Sequence, residues 1–459
     1  MRKAFRSLTS RWLYFIPLVC LALFINSCDD GNDRLKPDIE SVIDDIVECE
    51  MLEKQVPGVS ISVVKNGEAV YQKGYGKADI AAGADVTPET LFAIGSVTKV
   101  FTAIGVLRQY DAGLVDLDET IGAYLPDLPN EDWKERTVRD LLSMSSGIPE
   151  YAFCKGGAKD GEACEDHPQG SPFVFNPCGE DSVCEGANRV PYPQYLDGAA
   201  EIPLQFPGGD QYFYTNTNFI ILGELIEATS GLGYEDYIKD FILDPLDMTV
   251  TRPNNVPPPV IPGLALGYRH VDPGAEGAAP CVEFAEPPDN CSGAAPTNVA
   301  CAAIPTDDLR LPEQSFSAGW LITNQRDFTK FERALHGLSP ELLEAETYAL
   351  MWTNTELNDG SFERFGLGWD VCSELDDADC PKPVDPLAGG ELVPGAEVTA
   401  GKVISKDGAV PGYSAAIVRY LDDGVTVLVL ANTFDSDGPL QFSPVALAAT
   451  IAEVVREGE

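Results

Sequence analysis

Apolar residues at Ile39, Val42, Ile43, Ile46 and Val47 fall on one face at helical spacing and predict a first amphipathic helix. Two strand-like runs follow, over 59–64 and 69–75. Asn66-Gly67 joins them, a pair suited to the positive φ angles of a two-residue hairpin turn. A short apolar segment, Leu91-Phe92-Ala93-Ile94, then meets a helical run over 97–112. The middle of the chain is largely helical and includes an apolar helix over 219–228. Two stretches rich in Gly, Pro and Cys interrupt it, at about 153–193 and 253–311, and read as cross-linked loops. Strand patterns return over 402–404, 414–420 and 425–430. The last is almost wholly apolar, as expected of a strand covered on both faces. A closing helix over about 439–455 would pack back on the sheet. The pattern predicts an α/β fold: an antiparallel sheet built from both chain ends and flanked by helices, with a mostly helical lobe inserted. No internal repeat is visible.

The first residues read as a targeting segment. Arg2, Lys3, Arg6 and Arg11 precede an apolar run over 12–25 that is short for a membrane span. It ends Leu23-Phe24-Ile25-Asn26-Ser27-Cys28, which looks like a bacterial lipobox with Cys28 as the lipidated residue. Asn26 is not the usual small residue there, so a simple cleaved signal stays open. The expected organisation is a signal peptide over 1–27, a polar tether over 28–36 and one folded domain over 37–457. The protein would be exported to the periplasm or cell surface and held at the membrane if Cys28 is modified.

Composition adds limits. The chain has 459 residues, 44% hydrophobic and 23% charged, an ordinary globular balance. Its net charge of -42 argues against nucleic acid as a partner, because phosphate contacts need Lys and Arg. Of 12 cysteines, all but Cys20 and Cys28 lie beyond the leader, an even set in an exported context. Cys154, Cys164, Cys178 and Cys184 fall in the first insertion, and Cys281, Cys291 and Cys301 in the second. Cys372 and Cys380 can close a small loop, which leaves Cys49 needing a distant partner such as one of the second group. Zinc is the rival reading, but no Cys-x-x-Cys pair occurs.

The candidate chemistry begins at Ser96-Val97-Thr98-Lys99, where the 91–94 segment meets the helix. Serine at a helix N-terminus with lysine three residues later puts both side chains on one face, one turn apart. The amine can take the hydroxyl proton and make a nucleophile. The helix N-terminus offers N–H groups and positive dipole where an oxyanion would develop. Ser62-Val63-Val64-Lys65 has the same spacing but lies on a strand, where such positions point to opposite faces. Taken alone, Ser96 and Lys99 read equally as a helix cap and a solvated lysine.

Later motifs change that reading. Tyr214-Thr215-Asn216 follows a Pro-Gly-Gly-Asp turn and precedes the 219–228 helix. Lys406-Asp407-Gly408 precedes the 414–420 strand. Lys65, Lys155 and Lys159 also start Lys-x-Gly, but only Lys406 follows the other motifs in order beside a strand pair. Together the motifs resemble the serine penicillin-recognising enzymes. The segment from Thr137 to Pro149, Ser317-Ala318-Gly319-Trp320-Leu321, Gly366-Leu367-Gly368-Trp369 and Pro411-Gly412-Tyr413-Ser414 resemble further landmarks of the class C β-lactamase and D-alanyl-D-alanine carboxypeptidase group. The likeness runs from about Val56 to about Asn432.

The resemblance implies a β-lactamase/transpeptidase-like fold and an acyl-enzyme on Ser96. Lys99 and Tyr214 would share the base role. A free tyrosine titrates near ~10, so Tyr214 would need the two lysines to favour phenolate or an efficient relay. Asn216 would orient Lys99 or the substrate amide. Lys406, with Gly408 in the same supporting motif, would contact a substrate carboxylate or tune Tyr214. The backbone N–H groups of Ser96 and Ala409 would form the oxyanion hole. No metal or organic cofactor is expected. The substrate would be a small molecule or peptide, favouring a peptidase or amidase. Asp407 departs from the usual Thr or Ser, and would repel a substrate carboxylate if it faced the pocket. An esterase on the same fold and a catalytically silent surface-anchored binding protein are the alternatives.

A histidine triad is disfavoured. His167 and His270 lie in the insertions and His336 reads as mid-helix. Ser414 sits in a near nucleophile-elbow pattern, but on a strand followed by more strand.

Overall fold

Strands from the two chain ends pair directly, with Val59 opposite Ala431 and Lys65 opposite Val425. The computed structural model describes residue 35 and residues 37–150, 196, 199–200, 202–253, 261–282, 291, 299–304, 316–319, 321–338, 340–372, 384–385, 391–392, 402–434 and 440–457. The sheet holds β1 (Gly58–Lys65), β2 (Glu68–Asp79), β3 (Ala84–Asp85), β4 (Asp370–Cys372), β5 (Val403–Val410), β6 (Tyr413–Tyr420) and β7 (Val425–Ala431). Their spatial order is β4-β5-β6-β7-β1-β2-β3, and every pairing is antiparallel. The principal helices are α1 (Pro37–Lys54), α2 (Thr98–Asp111), α3 (Val138–Leu142), α4 (Asn216–Ser230), α5 (Gln325–Leu335) and α6 (Pro444–Glu457).

Alternation along β7 explains its apolar run. Val425, Val427, Val429 and Ala431 join one core with Ile43, Ile46 and Val47 of α1 and Ile451 and Val455 of α6. Leu428 and Leu430 join the other core with Phe101 and Ile104 of α2, Phe219 of α4 and Phe331 of α5. The sheet is thus buried on both faces, and its second face carries the helical lobe. The hairpin turn has positive φ at both Asn66 (48°) and Gly67 (80°), the geometry its residues predict.

Several expectations shift. Val42 is 38% exposed and lies outside the buried stripe of α1. The closing helix starts at Pro444, whose fixed φ suits a first helical turn, and Ser443 Oγ accepts from Ala446 N. The strand expected to end at 404 runs on as β5 to Val410, so Lys406, Asp407 and Gly408 lie within the ladder opposite Ile417, Ala416 and Ala415. His270 lies on the strand Tyr268–Val271, paired with Ala300–Ala303, rather than in a loop. His336 follows the end of α5, just before Gly337 at φ 68°, rather than mid-helix.

Disulfides join Cys281 to Cys301 and Cys49 of α1 to Cys291, so the second insertion is tied to the first helix. Cys372 is also disulfide-bonded. The first insertion with its cysteines and His167, the leader with Cys28, and Cys380 lie outside the described residues.

Candidate active site

Ser96 lies in a 3-10 turn, Gly95–Val97, that runs into α2, so it precedes the helix rather than capping it. The turn is pinned on two sides. Ile94 N donates to Leu321 O at 3.0 Å, and Leu321 N donates to Thr98 Oγ1 at 3.0 Å. On the other side β5 presses against it. A Cβ on Gly95, where φ is 50°, would stand 2.5 Å from Ala409 N. A Cβ on Gly408 would stand 2.0 Å from Ile94 O and 2.7 Å from Ser96 N. Only glycine at both places lets the backbones touch, which brings Ala409 N against the turn that carries Ser96 N.

Lys99, three residues after Ser96 in the first turn of α2, is wholly buried. Its Nζ lies 3.0 Å from Ser96 Oγ, 2.7 Å from Asn216 Oδ1 and 2.7 Å from Ala318 O. Burial, and then the charge on Lys406, hold its pKa well below the usual lysine value, against the pull of Glu150 and Asp407. A neutral amine fits these neighbours. Its two hydrogens go to the Asn216 and Ala318 carbonyl oxygens, and its lone pair faces the Ser96 hydroxyl.

Tyr214 stands between two lysines: Lys99 Nζ is 5.0 Å and Lys406 Nζ 5.4 Å from its ring centroid. Its hydroxyl is hydrogen-bonded to Ser96. Burial pushes its pKa up to about 12, although Lys406 and the Ser96 hydrogen bond oppose that shift. At neutral pH Tyr214 is therefore a phenol, with its hydroxyl placed to exchange a proton with Ser96.

The start of α4 places Asn216. Thr215 is the cap, accepting from Thr217 N, and Asn216 N donates to Glu150 Oε2 at 2.5 Å. Thr217 Oγ1 donates to Pro149 O at 2.7 Å, and Ser146 Oγ donates to Asn218 Oδ1 at 2.8 Å. The segment that begins with the Thr137–Asp140 capping box therefore clamps the first turn of α4.

Lys406 is 3% exposed and projects from β5 beside Tyr214. Its Nζ lies 3.1 Å from Asp370 Oδ2 and 3.4 Å from Asp407 Oδ1. Burial alone would lower its pKa, but Asp370 and Asp407, with Tyr214 and Tyr212, outweigh it and raise the value well above that of a free lysine.

The structure thus gathers Ser96, Lys99, Tyr214, Asn216, Lys406, Gly408 and Ala409. Sequence reasoning missed Asp370, Glu150 and the Ala318 carbonyl. Each adjoins or lies in a recognised landmark: Asp370 follows Trp369, Glu150 follows Pro149, and Ala318 is inside the 317–321 segment. Ser62 and Ser414 lie in structural roles. Ser62 Oγ is 3.1 Å from Thr329 Oγ1, and Ser414 Oγ donates to Thr433 O at 2.9 Å. His270, Cys281 and Cys301 cluster within 4.8 Å, but the cysteines form a disulfide and offer a metal no thiolate.

Comparison with known proteins bears on the family and the fold. The β-lactamase family profile matches residues 41–450. Protein flp of Staphylococcus aureus is 29% identical over 221 residues, 48% of this chain and 39% of its own length. The chain therefore matches about two fifths of that relative. Penicillin-binding protein 4* of Bacillus subtilis is 23% identical over 375 residues, 81% of this chain and 67% of its own. Among solved structures, D-amino acid amidase from Ochrobactrum anthropi SV3, complexed with D-phenylalanine, superposes with a TM-score of 0.63 at 20% identity. That alignment covers 92% of this chain and 100% of the amidase.

Proposed function

The chain belongs to the β-lactamase family, and on that premise we propose that it is a serine hydrolase that cleaves amide or ester bonds through an acyl-enzyme on Ser96. One observation carries this reading: a wholly buried lysine with a depressed pKa stands 3.0 Å from a serine hydroxyl. Lys99 takes the Ser96 proton as Oγ attacks the carbonyl carbon. The Ser96 and Ala409 N–H groups stabilise the oxyanion. Tyr214 passes the proton to the leaving group, and Asn216 holds Lys99 in line. Water then enters and the same groups release the acyl product.

Intact-mass analysis after exposure to a fluorophosphonate tests this. One adduct on the wild-type domain and none on Ser96→Ala is the expected result. No adduct on either would favour a silent binding protein of the same fold.

Within this class the peptidase or amidase reading rests on family likeness. The engagement of Lys406 by two carboxylates favours substrates without a carboxylate at that place, which keeps simple amides and esters in contention.

We also propose that the protein is exported and anchored through Cys28. The basic and apolar leader and the lipobox-like 23–28 segment support this. So do the disulfides at Cys49–Cys291 and Cys281–Cys301, which persist in oxidising compartments. Palmitate should label the wild-type chain and not Cys28→Ser; equal labelling of both would reject the anchor.

A further inference from the structure

We propose that Asp407, backed by Asp370, makes this site select amide or ester substrates that carry an ammonium group near the scissile carbonyl and reject those that carry a carboxylate there. The inference rests on Ser96 being the nucleophile and names the substrate class of that same site.

The cation that would receive a substrate carboxylate is already engaged. Lys406 is almost fully buried, with its Nζ 3.1 Å from Asp370 and 3.4 Å from Asp407. Two carboxylates share that one ammonium. Arg364 further offsets Asp370, so Asp407 carries most of the selectivity. The Asp407 side chain is 60% exposed and its Oδ1 reaches Lys406 Nζ, which is closed to solvent. A substrate carboxylate that approaches Lys406 therefore meets Asp407 already at that ammonium.

Position makes this charge relevant to the reaction. Asp407 lies on β5 two residues before Ala409, whose N–H adjoins the Ser96 turn, a separation of about 7 Å along a strand. A substrate group a few bonds from the carbonyl reaches that distance. The charges on Asp407 and Asp370 are already felt by the Tyr214 phenol, and that on Asp407 by Lys99 as well. The lowered pKa of Lys99 weakens the other cation that would balance them. The net charge of -42 on the whole chain works in the same direction, raising the local concentration of cations by a salt-dependent amount.

Three p-nitrophenyl esters of matched chain length test the proposal, their acyl groups ending in an ammonium, a methyl or a carboxylate. kcat/KM is measured on the wild-type protein, Ser96→Ala, Asp407→Thr and Asp407→Asn. Wild-type enzyme should prefer the ammonium ester over the carboxylate ester by roughly ten- to hundredfold, the scale of a charge pair near a protein surface. In Asp407→Thr and in the nearly isosteric Asp407→Asn that ratio should collapse, with a gain on the carboxylate ester. Equal rates on all three esters in the wild type would overturn the proposal while leaving Ser96 as nucleophile. So would a ratio unmoved in both Asp407 variants, which would place the selectivity elsewhere. Failure of the Ser96 reading looks different: no ester turns over, or Ser96→Ala matches the wild type, and the substrate proposal falls with it.

Discussion

Lys99 and Lys406 both lie beside Tyr214, one on a helix of the inserted lobe and one on a strand of the sheet. Both are buried, yet their acidities move in opposite directions. Lys99 has carbonyl oxygens and a hydroxyl in contact with its Nζ, so desolvation wins and the amine gives up its proton readily. Lys406 has Asp370 and Asp407, and their charges outweigh the same desolvation. Burial therefore does not set the role of a lysine; the contacts that accompany burial do. On the proposed mechanism the lobe supplies the base and the sheet a fixed cation, and the base depends on the cation, because the Lys406 charge helps to hold the Lys99 pKa down.

The largest break in this pairing is loss of the base. Lys99→Met should lower the Ser96 acylation rate by about 10²–10⁴-fold, the usual contribution of a positioned general base. Lys99→Arg should be equally slow, since a guanidinium does not deprotonate in proteins. Arginine working as well as lysine in stopped-flow acylation would show that position 99 supplies only charge.

Next comes the contact between the two regions. Gly408→Ala places a Cβ 2.0 Å from Ile94 O and must push β5 off the Ser96 turn. Loss of an oxyanion donor costs about 10²–10³ in rate, and a fall of that order in kcat with little change in KM is expected. A near-normal kcat would mean that Ala409 N–H takes no part.

Smaller effects should appear in the pH profile. The rate falls as pH drops through the Lys99 pKa, because the protonated amine cannot accept from Ser96. Lys406→Met removes a charge that lowers this pKa, so the acid limb should move to higher pH. Asp407→Asn removes a weaker influence of opposite sign, and the limb should move slightly to lower pH. Shifts in the same direction for both variants, measured as kcat/KM against pH, would refute the electrostatic coupling.

The two regions also differed in how far they could be read from sequence. That Ser96 and Lys99 meet follows from spacing, because one helical turn forces them together while Ser62 and Lys65 diverge on a strand; reading them as a reactive pair takes the later motifs as well. The paired ends of the sheet were legible in the alternation of β1 and the apolar run of β7. The Lys406 side was less legible. Lys-Asp-Gly lacks the apolar alternation that marks a strand, so the pattern predicts a strand only to 404, although the ladder of β5 with β6 continues to Val410. Asp370 is one of 73 acidic residues, and nothing local to it shows that the sheet edge will bring it to Lys406. Likewise, a main-chain acceptor such as Ala318 O carries no side-chain signature.

The most direct test of a neutral Lys99 is the pH dependence of the rate at which a fluorophosphonate labels Ser96 in the wild-type protein. A buried, uncharged amine predicts a single ionisation well below the ordinary lysine value of about 10.4, with a plateau above it. Labelling that stays slow through neutrality and rises only as the pH approaches that ordinary value would show an unperturbed ammonium and contradict the assignment.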